Sequence, residues 1–158
     1  MELMPKPVIA AVHGHCYTGA LEVALAADFI VASTTARFAD THAKWALTPV
    51  WGMSQRLPRR VGVSTAKRMM FTGATLKAEE ALRVGLAEVV LDNENFIQDV
   101  AVMCKAIVEN SSFTHSANKK LLETTDGKSL DGGLQWEVYA SEGVGPDMQA
   151  RIAAFNKK

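Results

Sequence analysis

The chain has 158 residues, of which 48% are apolar, and its 17 basic and 17 acidic residues cancel to a net charge of zero at pH 7. This length fits one domain that can bury a real core. The neutral charge and scattered basic residues argue against a nucleic-acid or anionic-membrane partner, and the short apolar runs predict neither a membrane span nor a signal peptide.

The first elements of the chain predict a buried strand followed by a buried helix. Residues 8–12 form a continuous apolar run, which is typical of a strand buried on both faces. A loop with Gly14 and Gly19 follows. Residues 20–27 are then apolar except for Glu22, and a helix that is apolar all round should have no wet face.

The type of predicted element changes near Leu91. Before that point the sequence predicts a strand at 28–33, an extended piece at 37–40, a loop at 41–52, helices at 54–61, 63–71 and 77–84, and a strand at 86–90. Pro58 is expected to bend or break its helix. After that point only helices are predicted, near 96–108, 114–124, 130–141 and 146–155. We therefore divide the chain into 1–91 and 92–158.

Glu22 is the first indication of chemistry. No basic residue within one helical turn can pair with it, and a buried carboxylate without a partner costs several kcal/mol. Gly19 stands three residues earlier, at the predicted helix start, where backbone amides have no partner within the helix and attract negative charge. A carbonyl oxygen held there would lie within one turn of the carboxylate. The alternative is a tight turn followed by a surface glutamate.

The cysteines and histidines do not predict a metal site. Cys16 and Cys104 are far apart and are expected to be free thiols in a reducing compartment, which favours the cytoplasm. His13 and His15 alternate at a strand end, but no further ligand pair has suitable spacing. We therefore expect no metal.

The order of motifs resembles the crotonase superfamily, the enoyl-CoA hydratase/isomerase group. The matching residues are Lys6-Pro7-Val8-Ile9-Ala10-Ala11-Val12-x-Gly14, Gly19-x-x-Glu22-x-Ala24, Asp28, Ala36-x-Phe38, Pro49-x-x-Gly52-x-x-Gln55-Arg56-Leu57, and Gly73 through Gly85-Leu86-Ala87. The resemblance implies an α/β fold, the C-terminal portion of a crotonase-like spiral of strand–strand–helix turns in 1–91. A helical trimerisation region in 92–158 would follow, giving homotrimers or hexamers.

The resemblance also implies a substrate and roles for particular residues. The substrate would be an acyl-CoA thioester, with no cofactor beyond the coenzyme A that the substrate carries. Gly19 matches the family's second oxyanion-hole position, and Glu22 matches the first of two acidic positions used for proton transfer. Substrate contacts are expected at Gly14, Pro49 and Val50.

Three departures from the family pattern accompany these matches. The family's first oxyanion amide and much of its nucleotide-binding surface lie ahead of the Lys6 segment, so we expect this chain to be roughly the C-terminal half of a longer protein. The second acidic position, twenty residues after Glu22, is His42. Val50 and Met53 replace glycines that are common in the family, which would narrow the pocket.

His42 leaves two mechanisms open. A neutral imidazole accepts a hydrogen bond from water and titrates near neutral pH, so His42 can replace a carboxylate in hydration, with Glu22 as the acid. Alternatively Glu22 alone moves an alpha proton, His42 is a loop histidine, and the reaction is isomerisation. Nearby Asp40 is interpreted as a turn residue. The competing function is a truncated, non-catalytic chain that acts only as an oligomer subunit or remnant.

Overall fold

The computed structural model describes residues 1–156. The described chain forms two compact units, one made of Met1 with Val8–Met103 and the other of Glu2–Pro7 with the chain from Cys104 onward. The first unit mixes strands and helices and the second is helical. The predicted class, α/β with helices toward the C-terminus, is confirmed.

The elements follow the predicted order closely. They are β1 Ile9–Val12, β2 His15–Tyr17, α1 Gly19–Leu25, β3 Phe29–Ser33, β4 Arg37–Ala39, a 3₁₀ helix His42–Trp45, α2 Met53–Val61, α3 Val63–Thr72, β5 Leu76–Lys77, α4 Ala78–Arg83, β6 Val89–Leu91, α5 Phe96–Val108, α6 Ser112–Thr125, α7 Leu130–Ala140 and α8 Met148–Phe155.

Two three-stranded sheets organise the first unit. One has the order β1-β3-β6 with parallel pairing throughout. The other has the order β2-β4-β5, in which β2 and β4 are parallel and β4 and β5 antiparallel. Strand β1 was expected to be buried on both faces, which is wrong for the described chain. It pairs there with β3 alone, and Ala11 is exposed while its neighbours are half-buried.

Helix α1 lies against the main core but is not buried all round. Leu21, Glu22 and Leu25 are buried, whereas Ala20 and Val23 are exposed. Residues three apart share a helix face, so the prediction of a helix without a wet face is only partly correct. The core that α1 joins includes Ile30, Phe38, Met53, Leu57, Met69, Leu76 and Leu86.

Helix α2 continues through Pro58, so the proline does not break it. The ring removes one backbone hydrogen bond and typically costs about 3 kcal/mol in a helix interior. Met53, Leu57 and Val61 are buried at four-residue intervals on one face, and each buried apolar side chain contributes roughly 1.5–3 kcal/mol. Their combined burial offsets the lost bond and holds the helix in one piece.

The helical unit contains α6, α7 and α8. Its α7 is capped by Ser129, whose hydroxyl accepts a hydrogen bond from the Gly132 amide at 3.2 Å. Buried Lys119 donates from Nζ to the Lys6 carbonyl at 3.2 Å. None of the helices in residues 1–156 combines the length and apolar character that crossing a bilayer requires.

The two cysteines are free and should differ sharply in reactivity. Cys16 is buried, and desolvation raises the pKa of its thiol to about 11, whereas Cys104 is exposed. Because the thiolate is the nucleophile, a raised pKa leaves Cys16 protonated at pH 8. We expect iodoacetamide at pH 8 to label Cys104 in the native chain and to spare Cys16, as measured by peptide mass spectrometry. Equal labelling without denaturant would contradict this, and denatured chain, in which both react, is the control.

Candidate active site

Glu22 is a buried carboxylate whose charge is met by backbone amides. Its side chain lies on α1 and is 2% exposed. Oε1 accepts hydrogen bonds from the Trp51 amide at 2.9 Å and the Met53 amide at 3.1 Å. Met53 is the first residue of α2, so the carboxylate lies at a helix N-terminus, where backbone dipoles favour negative charge. The groups that stabilise the Glu22 carboxylate are therefore backbone amides, and no basic side chain is needed beside it in the sequence.

The second oxygen of Glu22 faces His42. Oε2 lies 3.7 Å from His42 Nε2, and the imidazole side chain is only 10% exposed. The other ring nitrogen, Nδ1, lies 2.5 Å from Oδ1 of Asp40, which is 1% exposed. Three buried ionisable side chains therefore stand in a row, in the order Asp40, His42, Glu22.

Gly19 begins α1 and has a crowded surface. As the first helical residue, it presents an amide that has no partner within the helix. A Cβ added at Gly19 would lie 3.0 Å from the Trp51 ring, which leaves almost no room for a side chain. Trp51 therefore contacts both parts of the site, with its amide on Glu22 and its ring against Gly19.

The start of α1 is tied to the segment that carries the histidine. Thr18 precedes Gly19 with a positive φ of 53°, which is uncommon for a residue with a side chain. Its amide donates to the Ala39 carbonyl at 2.9 Å, and its hydroxyl is hydrogen-bonded to the Thr41 hydroxyl. Because Thr41 directly precedes His42, these bonds fix the Gly19 helix start relative to the imidazole.

The structure brings together only some of the residues that the sequence singled out. Glu22, His42 and the Gly19 helix start form one site. Gly14 lies between β1 and β2 with φ of +73°, and its carbonyl accepts from the Arg37 amide at 2.8 Å. Pro49 and Val50 lie in the loop ahead of α2, where Pro49 is half-buried and Val50 is 79% exposed. Their substrate roles stay predictions.

Sequence reasoning missed two parts of the site. Asp40 was interpreted as a turn residue and does accept the hydrogen bond of such a turn, but its burial against the imidazole was not predicted. Its signal was the Asp-x-His spacing, because an aspartate commonly accepts a hydrogen bond from the amide two residues on, and here the His42 amide donates to Oδ1 at 3.1 Å. The amides of Trp51 and Met53 carried no side-chain signal. The Met53 side chain lies in the core, and its expected effect on the width of the pocket stays a prediction.

Residues 1–156 contain no group of three or more His, Cys, Asp or Glu side chains arranged to hold a metal ion. A carboxyl, an imidazole and an amide at a helix start can together transfer protons and stabilise a developing oxyanion.

The chain is similar in sequence and in fold to known proteins of one family. A sequence model of the enoyl-CoA hydratase/isomerase family matches residues 1–143. The short-chain-enoyl-CoA hydratase of Clostridium acetobutylicum is 35% identical over 140 residues, which cover 89% of this chain and 54% of that protein. The crystal structure of enoyl-CoA hydratase from Bacillus anthracis has a TM-score of 0.93 and 34% identity, covering 99% of this chain and 61% of that one.

A further similar structure, from Thermobifida fusca, is a complex with acetoacetyl-CoA. It has a TM-score of 0.83 and 27% identity, and the match covers 97% of this chain and 58% of that one. The chain thus spans between half and two thirds of the length of these relatives. With the family model matching most of its residues, the chain belongs to the enoyl-CoA hydratase/isomerase family, the crotonase superfamily, and has the α/β fold of that family.

Proposed function

We propose that the site binds an acyl-CoA thioester and catalyses enoyl-CoA hydratase/isomerase chemistry through a thioester enolate. One observation carries the proposal: buried Glu22 is fixed through Oε1 by two amides and directs Oε2 toward His42, one helical turn from the Gly19 amide. The proposed reaction needs no cofactor besides the coenzyme A of the substrate. The names of the relatives, and the acetoacetyl-CoA in one similar structure, support the substrate class.

The geometry favours hydration of a 2-enoyl thioester. Water held by His42 and Glu22 attacks Cβ, and His42 Nε2 takes one proton from it. The π electrons of the double bond move toward the thioester, whose oxygen carries the negative charge against the Gly19 amide. Glu22, which carries a proton on Oε2 when the substrate binds, then gives this proton to Cα as the carbonyl re-forms, and the Trp51 and Met53 amides stabilise the carboxylate that remains. His42 returns its proton to Glu22, so that both groups are restored.

The competing isomerisation uses Glu22 alone. In that reaction the carboxylate takes a proton from one carbon of the acyl chain and returns it to another, so no water is needed. The buried imidazole favours hydration. Asp40 orients the ring so that Nε2 faces Glu22 Oε2, and isomerisation by Glu22 alone does not require a histidine at that position.

The proposed assembly is a homotrimer or hexamer. Supporting it, the helical unit exposes large apolar side chains on α7, where Leu130, Val138 and Tyr139 are all at least 80% exposed. Exposed apolar side chains in such numbers are typical of a surface that another chain covers.

The test is turnover by the purified chain. We expect a short 2-enoyl-CoA to be converted to its 3-hydroxyacyl-CoA, measured by mass spectrometry of the thioester with water carrying heavy oxygen as the label. Conversion of a 3-enoyl-CoA to the 2-enoyl-CoA without label would instead support isomerisation. Binding of the thioester without any turnover would contradict the catalytic proposal and favour the non-catalytic oligomer subunit.

A further inference from the structure

We propose that Asp40 is a positioning residue that fixes the tautomer of His42, with the hydrogen on Nδ1 and the lone pair of Nε2 directed toward Glu22. The catalytic consequence rests on the proposed function, whereas the tautomer itself does not. With this tautomer, His42 is the base that receives a proton from water, and Glu22 is the group that protonates Cα.

The contacts of Asp40 show why this tautomer is selected. Its Oδ1 accepts from the His42 backbone amide at 3.1 Å and lies 2.5 Å from Nδ1 of the same residue. An ionised carboxylate can only accept hydrogen bonds. Nδ1 must therefore donate, and in the neutral ring Nε2 is then the acceptor.

Burial makes this selection strong. Asp40 is 1% exposed, and the His42 side chain is 10% exposed, so water does not compete freely for either partner. A hydrogen bond to a charged group is about twice as strong as one between neutral groups. The opposite tautomer would place two acceptors against each other at 2.5 Å, which is a large penalty in a buried site.

Because Nε2 is an acceptor, His42 and Glu22 can together hold a water molecule in position to react. The 3.7 Å between Nε2 and Oε2 exceeds a normal N–H···O bond. One water at about 2.8 Å from each atom can bridge them. With Nε2 as acceptor, this water donates to His42 and its oxygen is free to attack. A hydrogen on Nε2 would instead point at Glu22, and His42 could then not accept a proton from the water.

The tautomer can be measured directly by ¹⁵N NMR of the imidazole in chain labelled at histidine. The chain has four histidines, and His42→Gln identifies the signal of interest. We expect neutral His42 to show a protonated Nδ1 and a bare Nε2. A protonated Nε2, or a ring that stays doubly protonated across the pH range of activity, would overturn the inference.

Two substitutions at Asp40 test the cause. Asp40→Asn keeps an acceptor oxygen, and the His42 amide holds that oxygen in place, so the tautomer should persist. Asp40→Ala removes the acceptor and should shift the signal toward the Nε2-protonated form. An unchanged tautomer in folded Asp40→Ala would overturn the inference. If Asp40→Ala does not fold, the His42 tautomer seen in the wild-type spectrum decides whether the inference stands. Asp92→Ala, at an exposed aspartate, is the matched control.

The kinetic effect separates this inference from the proposed function. We expect Asp40→Ala to lower kcat for hydration at least tenfold with little change in KM, and Asp40→Asn to lower it less. A higher KM in Asp40→Ala with kcat unchanged would overturn a positioning role for Asp40. Wild-type chain that has the predicted tautomer but turns over no enoyl thioester contradicts the proposed function and leaves the tautomer assignment standing.

Discussion

Replacing Glu22 with glutamine is expected to lower kcat for the proposed hydration at least about a hundredfold, the usual contribution of a positioned proton-transfer group. Glutamine has nearly the same shape and keeps an oxygen that can accept from the Trp51 and Met53 amides. The fold should therefore survive. The amide that replaces Oε2 cannot give a proton to Cα, so the chemical step is lost while thioester binding is kept. Steady-state kinetics of the two chains measure the effect.

Glu79→Gln is the matched control for this substitution. Glu79 lies on α4 and is exposed, so the same change in charge and shape should leave the rate within about twofold, as surface substitutions have small effects. A Glu22→Gln chain that turns over the thioester at the wild-type rate would remove this carboxyl from the mechanism. Loss of activity accompanied by unfolding would point to a structural role instead.

Replacing Phe38 with alanine should destabilise the chain by about 3–5 kcal/mol, the typical cost of deleting a large buried aromatic side chain. Phe38 is fully buried on β4, the central strand of the β2-β4-β5 sheet, and belongs to the main core. Removing its ring leaves a cavity that the surrounding strands cannot close. Urea denaturation followed by circular dichroism measures the change in the free energy of unfolding.

The control for Phe38 is Phe71→Ala, at a phenylalanine on α3 that is 75% exposed. We expect a change within about 0.5 kcal/mol there. Because Asp40 lies two residues after Phe38, the core variant should also lose hydration activity if the site depends on the position of β4. Equal stability of the two variants would show that burial at Phe38 does not support the fold as described.

Hydrophobic pattern was enough to predict the main strands and helices. Strands β1 and β3, and the helix ends at Gly73 and Gly85, follow from apolar runs and glycine positions that the structure retains. Strands β2 and β5 have three and two residues, too few to show an alternating pattern. The strand predicted at 86–90 begins later, at Val89. The Leu86 amide instead donates a hydrogen bond to the Ala81 carbonyl of α4, so Leu86 still belongs to the turn after that helix.

The candidate site was predictable where its parts share one element. Gly19 and Glu22 are three residues apart on α1, so their proximity follows from helix geometry. The pairing of Glu22 with His42 depends on how β4 and α1 are placed, and sequence alone suggested it only through the family resemblance. The amides of Trp51 and Met53 could not be found from residue types, because every residue but proline carries the same donor.

Deuterium exchange at Cα of a saturated acyl-CoA shows directly whether Glu22 transfers a proton at that carbon. A saturated chain cannot be hydrated, so exchange from heavy water reports only enolate formation by a base beside an oxyanion site. We expect the wild-type chain and Glu79→Gln to incorporate deuterium at Cα, and Glu22→Gln to do so at least about a hundredfold more slowly. Exchange at an unchanged rate in Glu22→Gln, or no exchange with the wild-type chain when the thioester is bound, would contradict it.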